Sequence, residues 1–429
     1  MTLCVEPGRL EGSLVVPPSK SAMIRAVACA LMADGESVIE NPSRSADARA
    51  ALGIAAALGA SVDQAGDREP VVIRGHALRT APAGRITLNC GESALCLRMF
   101  SAIAALLPVP VELRAEGSLA KRDVSMVEDG LRDAGVECRT AAGRPPVTVR
   151  GPMKATSLTA DGSASSQAAS GLLLALPLAG GSELAVERPA SGGYLDLSAH
   201  IMAAFGVQVH RFDDAGPRAV FTLSGARMYR PACYAVEGDW SSAAAMAAAV
   251  AASGGRVEFL GLLPGSSQPD KAVQDALRLA DAGVSWTADG RLVVDGSRAL
   301  HGFEFDVGAC PDLAPPLVAL ASCCQGTSVL KGASRLSGKE SDRASALALE
   351  FGKLGVDVRQ DGDLLCVRGL GPRGHPLAAT VWSHGDHRVA MAVSALATRA
   401  KGPVYLRGAE CVDKSWPGFF RGLASLRTS

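Results

Sequence analysis

At 429 residues the chain exceeds what one ordinary core accommodates, so two domains of about 200 residues are expected. Its 43 basic and 43 acidic residues cancel, which excludes a broad field that recruits nucleic acid or an acidic membrane and leaves local anion sites. Sparse aromatic residues argue against base stacking, and 11 scattered cysteines behind an N-terminus without signal-peptide character point to a reduced, cytoplasmic compartment and a small-molecule partner.

In chain order, a strand is expected over about Cys4 to Val16, long enough to belong to either half. Pro17-Pro18-Ser19-Lys20-Ser21 then leads into a helix bearing Arg25. Lys20, Ser21 and Arg25 can converge where backbone amides also favour an anion, although an ordinary capped helix start explains the segment equally well. From there a pattern recurs: an apolar helix, a Gly with a small residue, a short polar strand, a turn and a Val-rich strand. The glycines are Gly59, Gly135, Gly206, Gly283 and Gly355, about 70 to 77 residues apart, and each fits a left-handed helix C-terminus. Five copies, with room for a sixth at the C-terminus, suggest six α/β units in two groups of three divided near Val236 to Gly238.

Polar segments interrupt this frame at intervals. Gly91-Glu92-Ser93-Ala94 with Arg98, then Ser118-Leu119-Ala120-Lys121-Arg122, bring cations to the first half. Asp161-Gly162-Ser163-Ala164-Ser165-Ser166-Gln167 precedes an apolar run, so hydroxyls and an amide stand at a helix N-terminus suited to phosphate. Ser191-Gly192-Gly193-Tyr194 is a second hydroxyl-bearing loop. The longest apolar run, Ala243 to Ala252, is far too short to cross a membrane and reads as a closely packed helix. In the second half Asp312 follows Pro311, Asp386-His387-Arg388 opens an Ala-rich helix, and Lys414 precedes Trp416-Pro417. Lys339-Glu340-Ser341-Asp342-Arg343 sets four charges in five residues. If it opens a helix, Lys339 and Arg343 share a face with Glu340, where a small anion can be held and protonated; a solvated helix start with local ion pairs is the plainer account. Competing motifs fail: Pro372 and Pro376 obstruct the helix that Gly369-Leu370-Gly371-Pro372-Arg373-Gly374 would need for dinucleotide binding, and no complete Cys/His set surrounds His384, Asp386 and His387 for a metal.

Taken together, these segments resemble the 3-phosphoshikimate 1-carboxyvinyltransferases, the enolpyruvylshikimate phosphate synthases of the enolpyruvyl transferase family. The resemblance spans nearly the whole chain and is most specific in Ser19-Lys20-Ser21 with Arg25, Ser165-Ser166-Gln167, Lys339-Glu340-Ser341-Asp342-Arg343, Asp386-His387-Arg388 and Lys414. It implies a two-domain inside-out α/β barrel with three repeated units per domain and an active site in the interdomain cleft. Residues 1–17 and 237–429 would form one domain and residues 18–236 the inserted one. It further implies transfer of the enolpyruvyl group of phosphoenolpyruvate to the 5-hydroxyl of shikimate 3-phosphate with release of phosphate, by a monomer without metal or organic cofactor.

Residue by residue, the resemblance assigns Ser165, Ser166 and Ser191 to the shikimate phosphate, Ser21 and Arg25 to its carboxylate, and Gln167, Tyr194, Asp312 and Lys339 to other parts of that substrate. Lys20, Arg122 and Lys414 would face the phosphate of phosphoenolpyruvate, with Gln167 nearby, and Arg343 and Arg388 its carboxylate; Arg98 and His387 would support. Asp312, Glu340 and Lys20 are the candidate proton-transfer groups, for the hydroxyl, the methylene carbon and the departing phosphate. Four positions depart from the family pattern: Glu92 and Arg335 replace Asn, Ala94 replaces Gly, and Asp123 replaces Pro. Glu92 places a carboxylate beside phosphoenolpyruvate, and the Ala94 methyl narrows the same pocket, which implies weak inhibition by glyphosate. The sister transferases acting on a UDP-amino sugar commonly carry Cys in the loop that here spans residues 118–124 and holds none. Transfer to another hydroxylated acceptor and a non-catalytic anion-binding role are the remaining alternatives.

Overall fold

Each repeat of the chain becomes a pair of helices beside one small sheet in the computed structural model, which describes residues 1–66, 69–79, 84–213, 216–225 and 227–428. The chain divides into two compact units, Pro18–Glu237 and Met1–Pro17 with Gly238–Ser429.

The Pro18–Glu237 unit has helices α1 (Lys20–Met32), α2 (Ala46–Ala57), α3 (Ala94–Ala104), α4 (Ser125–Asp133), α5 (Ser166–Ala175) and α6 (Gly193–Ala204). Its sheets run Cys233–Ala235, Asp34–Glu40, Val71–His76, Ser61–Asp63; then Ile86–Asn89, Val111–Arg114, Arg144–Arg150, Glu137–Ala141; then Ser157–Asp161, Glu183–Glu187, Arg218–Ser224, Gln208–Asp213. In each the first two strands are parallel and the others antiparallel.

The other unit repeats the plan with α7 (Trp240–Ser253), α8 (Val273–Leu279), α9 (Ala314–Ala321), α10 (Arg343–Lys353), α11 (His387–Ala397) and α12 (Phe419–Leu426). Two of its sheets have four strands. The third joins Thr380–Trp382 in parallel to Val404–Arg407, and the N-terminal strand Thr2–Val5 completes it antiparallel, Thr2 opposite Arg407.

Which layer lies inside follows from the helix sequences. Helices α7, α9 and α11 are apolar around their whole circumference and buried along nearly all their length, as a helix surrounded by protein must be. The alanines of α7 let neighbouring backbones approach closely. Strands such as Val71–His76 instead alternate buried and more exposed residues, the mark of a sheet with one face on the core. Helices therefore line the interior of each unit and sheets cover it.

Three expectations are corrected. The single strand over Cys4 to Val16 is two strands, Thr2–Val5 and Glu11–Val15, in different sheets. Pro7 has no N–H for a ladder, and the Gly8 N–H donates instead to the Thr398 carbonyl at 2.9 Å. Glu237 belongs with residues 18–236, because its carbonyl accepts from the Ser19 N–H at 2.8 Å. Gly59, Gly135, Gly206 and Gly355 have positive φ, but in the fourth copy Asp281 takes the left-handed position at φ 64°. Gly283 instead begins a strand, where an added Cβ would lie 3.0 Å from Cβ of Asp295.

Candidate functional site

The most deeply buried cation of the Pro18–Glu237 unit, Arg25, is held by neutral groups. Ser19 caps α1 by accepting from the Ala22 N–H, which sets Lys20 and Ser21 in its first turn. Arg25, one turn on and only 1% exposed, donates through Nε to Ser198 Oγ at 2.8 Å, through Nη1 to the Ser21 carbonyl at 3.0 Å, and through Nη2 to Ser170 Oγ and the Tyr194 carbonyl at 3.3 Å each. Its guanidinium also lies over the Tyr194 ring, 6.0 Å from the centroid. One side chain thus ties α1 to α5 and α6, and burial pulls its pKa down to about 10. Arg98 of α3 donates to Gln167 Oε1 of α5 at 3.0 Å and to the Asp123 carbonyl at 3.1 Å.

Ser165 caps α5 by accepting from the Gln167 N–H, and Ser166 and Ser191 are buried. Of the expected grouping of Ser21, Ser165, Ser166, Gln167, Ser191 and Tyr194, Arg25 joins Ser21 and Tyr194 to Ser170 and Ser198. Lys20 pairs with Asp47 at 3.2 Å. Glu92 turns toward the loop at Ser118, accepting from its N–H at 3.2 Å and its hydroxyl at 2.8 Å. It crosses Gly117, whose φ is +51° and where a Cβ would meet the Glu92 carboxylate. That contact anchors the turn Leu119–Lys121 that leads to Arg122. Ala94 is the first residue of α3 and is buried.

The other unit concentrates opposite charges. Arg343, 1% exposed, donates through Nε to Asp386 Oδ2 at 2.9 Å, through Nη1 to Asp312 Oδ1 at 2.7 Å and through Nη2 to Glu340 Oε2 at 2.9 Å. Lys414 lies 3.3 Å from the second Glu340 oxygen. Arg388 lies 3.6 Å from Asp312 Oδ2 and donates to the Ser241 carbonyl at 2.9 Å. Asp386 caps α11 by accepting from the Arg388 backbone N–H, so one carboxylate joins the Arg343 guanidinium to the backbone that carries Arg388. Burial alone would raise the Asp312 pKa, but Arg343, Arg388 and Lys339 outweigh it and hold the carboxyl well below its usual range. Burial likewise opposes the Arg343 charge, and Asp386, Asp312 and Glu340 keep its pKa above the ordinary value. Lys339 goes the other way: burial pulls its ammonium down to about 8 against the attraction of Asp312.

The charges meet by a route other than the helical face expected from the sequence. Asp342 caps α10 by accepting from the Ser345 N–H, so the helix begins at Arg343 and Lys339 and Glu340 precede it. The extended cap sends the chain away from the helix axis, and Arg343 reaches Glu340 from the first helical position. Sequence reasoning also missed Asp47, Ser170, Ser198 and the role of Asp386. A carboxylate two residues after the cap Ser45 and a serine one turn after Tyr194 were the available signals.

Residues 5–423 match the family model described as EPSP synthase (3-phosphoshikimate 1-carboxyvinyltransferase). Among curated proteins, the 3-phosphoshikimate 1-carboxyvinyltransferase of Aeropyrum pernix is 37% identical over 98% of this chain and 95% of its own length. The one from Methanothermobacter thermautotrophicus is 36% identical over 98% and 97%. Among solved structures, EPSP synthase from Acinetobacter baumannii superposes with a TM-score of 0.80 at 25% identity, covering 99% of this chain and 98% of that one. The enolpyruvyl transferase NikO from Streptomyces tendae shares the fold at a TM-score of 0.74 and 18% identity, over 99% and 97%. The chain belongs to the EPSP synthase (3-phosphoshikimate 1-carboxyvinyltransferase) family.

Proposed function

We propose that the chain transfers the enolpyruvyl group of phosphoenolpyruvate to the 5-hydroxyl of shikimate 3-phosphate, with Asp312, Glu340 and Lys20 as its proton-transfer groups. The observation that carries the residue assignment is the Arg343 guanidinium, which fixes two of these carboxylates, Asp312 and Glu340, through separate nitrogens.

Addition forms a bond between the acceptor oxygen and C2 of phosphoenolpyruvate while the double-bond electrons take a proton at C3. Asp312, held ionised by its cations, accepts the hydroxyl proton; Glu340 delivers the proton to C3. In elimination the C2–O bond to phosphate breaks, its electron pair leaves with phosphate, and C3 returns its proton to Glu340. Lys20 protonates the leaving phosphate, with Asp47 holding the ammonium in place. Two anionic substrates side by side demand dense cations, and guanidinium suits their planar carboxylates. Arg25 and Ser21 serve the shikimate carboxylate, Ser165, Ser166 and Ser191 its phosphate, and Gln167, Tyr194 and Lys339 its remaining groups. Arg343 and Arg388 serve the carboxylate of phosphoenolpyruvate, and Lys20, Arg122 and Lys414 its phosphate. The buried Ala94 methyl narrows that pocket, so glyphosate inhibits weakly and Ala94→Gly strengthens inhibition.

The enzyme is read as a cytoplasmic monomer acting on these two small molecules; its 11 free thiols, mostly buried, fit a reducing compartment. No helix among the described residues is long and apolar enough to cross a membrane. The test is phosphate release from phosphoenolpyruvate with shikimate 3-phosphate, beside UDP-N-acetylglucosamine and a Glu340→Ala control. Release with the shikimate ester alone, lost in the control, is expected; release with the sugar nucleotide, or none with either, rejects the reading.

A further inference from the structure

Glu350 is fully buried, yet no step above uses it. It stands seven residues after Arg343 on α10, two turns along the same face. Its Oε1 bonds His384 Nε2 at 2.7 Å, its Oε2 accepts from the Trp382 backbone N–H at 2.9 Å, and Lys353 Nζ donates to both oxygens at 2.8 and 2.7 Å. The Trp382 ring lies against the His384 ring with centroids 4.2 Å apart.

These contacts converge on an unusual backbone. His384 has φ +55° and Gly385 φ +68°, so two left-handed residues in succession lead into Asp386, the cap of α11. A histidine holds that conformation only where its surroundings impose it. The segment from Trp382 to Asp386 is thus fastened to α10 at two heights, by Glu350 to Trp382 and His384 and by Arg343 to Asp386. An apolar side chain could fill the Glu350 site without the cost of burying a carboxylate, so what the charge contributes here is a fixed geometry.

We infer that Glu350 is a positioning residue for Asp386, and through it for Arg343 and Arg388. Releasing the His384 side chain leaves the turn held to α10 at the Trp382 N–H and at Asp386 and lets the backbone between them shift, and both guanidinium groups move with it. This rests on the reading that Arg343 and Arg388 hold the phosphoenolpyruvate carboxylate.

Steady-state kinetics of Glu350→Gln, His384→Ala, His384→Gln and Arg343→Lys test it, with KM measured for each substrate and melting temperature alongside. Glu350→Gln and His384→Ala are expected to raise KM for phosphoenolpyruvate about tenfold, more than that for shikimate 3-phosphate. His384→Gln, which keeps an N–H donor toward Glu350, recovers most of the loss. Should Glu350→Gln not fold, the two His384 variants read the same link from the turn side. A lowered melting temperature with unchanged KM for phosphoenolpyruvate, or equal rises for both substrates, overturns the positioning role. Unchanged KM for phosphoenolpyruvate in Arg343→Lys rejects the carboxylate assignment itself; a raised value there, beside wild-type behaviour of Glu350→Gln and His384→Ala, rejects the positioning role alone.

Discussion

Arg25 and Arg343 are equally buried, and each ties its own unit together, but they are satisfied by opposite chemistry. Arg25 meets two serine hydroxyls and two backbone carbonyls; Arg343 meets three carboxylates. A cation among neutral partners keeps its charge for an incoming anion. A cation ringed by acids has its charge balanced by them, and besides receiving an anion it holds those acids in place. The same fold, repeated, surrounds one buried guanidinium with neutral dipoles and the other with carboxylates.

The widest test of that contrast is to remove each guanidinium. Arg343→Leu strands Asp312, Glu340 and Asp386 together and is expected to cost about 3 to 5 kcal/mol with loss of activity. Arg25→Leu leaves only hydroxyls and carbonyls short of a donor and should cost about 1 to 3 kcal/mol. Urea unfolding of both variants measures the difference, and equal losses break the comparison. The Asp312 share of this stability also has a pH signature. Its lowered pKa stabilises the fold above the ordinary carboxylate range, and that contribution fades as pH falls through the lowered value.

Glu340→Gln can still accept from Arg343 but cannot transfer a proton, so turnover should fall about 100- to 10,000-fold with little change in KM. Turnover within about threefold of wild type removes Glu340 from the chemistry. On the binding side, Arg25→Lys replaces a planar fork with a point charge and should raise KM for shikimate 3-phosphate about tenfold, leaving that for phosphoenolpyruvate nearly unchanged. Comparable rises for both substrates would remove Arg25 from the shikimate 3-phosphate site.

Lys339 supplies a subtler probe. Its ammonium is intact below about pH 8 and lost above it, so KM for shikimate 3-phosphate should climb through that pH, and Lys339→Arg should flatten the profile. A wild-type profile in the variant would show that another group titrates. The smallest effect is expected for Glu92→Gln, which keeps the acceptor for Ser118 and removes a like charge from the anion site. A fall in KM for phosphoenolpyruvate of at most about threefold is expected; a rise would mean the carboxylate charge is needed to hold the Ser118 loop.

The repeat was legible because a left-handed glycine after a helix is a local requirement, visible at Gly59, Gly135, Gly206 and Gly355. Gly283 misled because close packing against Asp295 demands the same residue for a different reason. Ser19 and Ser165 could be read as caps from their immediate neighbours. The partners of the cations could not: Arg25 meets Ser170 and Ser198, 145 and 173 residues away, and Arg343 meets Asp386 at a separation of 43. The dense charges at Lys339 to Arg343 were visible but their geometry was not, since the cap at Asp342 decides where the helix begins.

The strand Thr2–Val5, which pairs with Val404–Arg407, sets a timetable for synthesis. The Pro18–Glu237 unit is one uninterrupted stretch and can close its three sheets while the ribosome is still translating α7 and beyond. The other unit must keep the strand Thr2–Val5 waiting until some 400 residues later its partner emerges, so a strand made before the whole Pro18–Glu237 unit is secured after it.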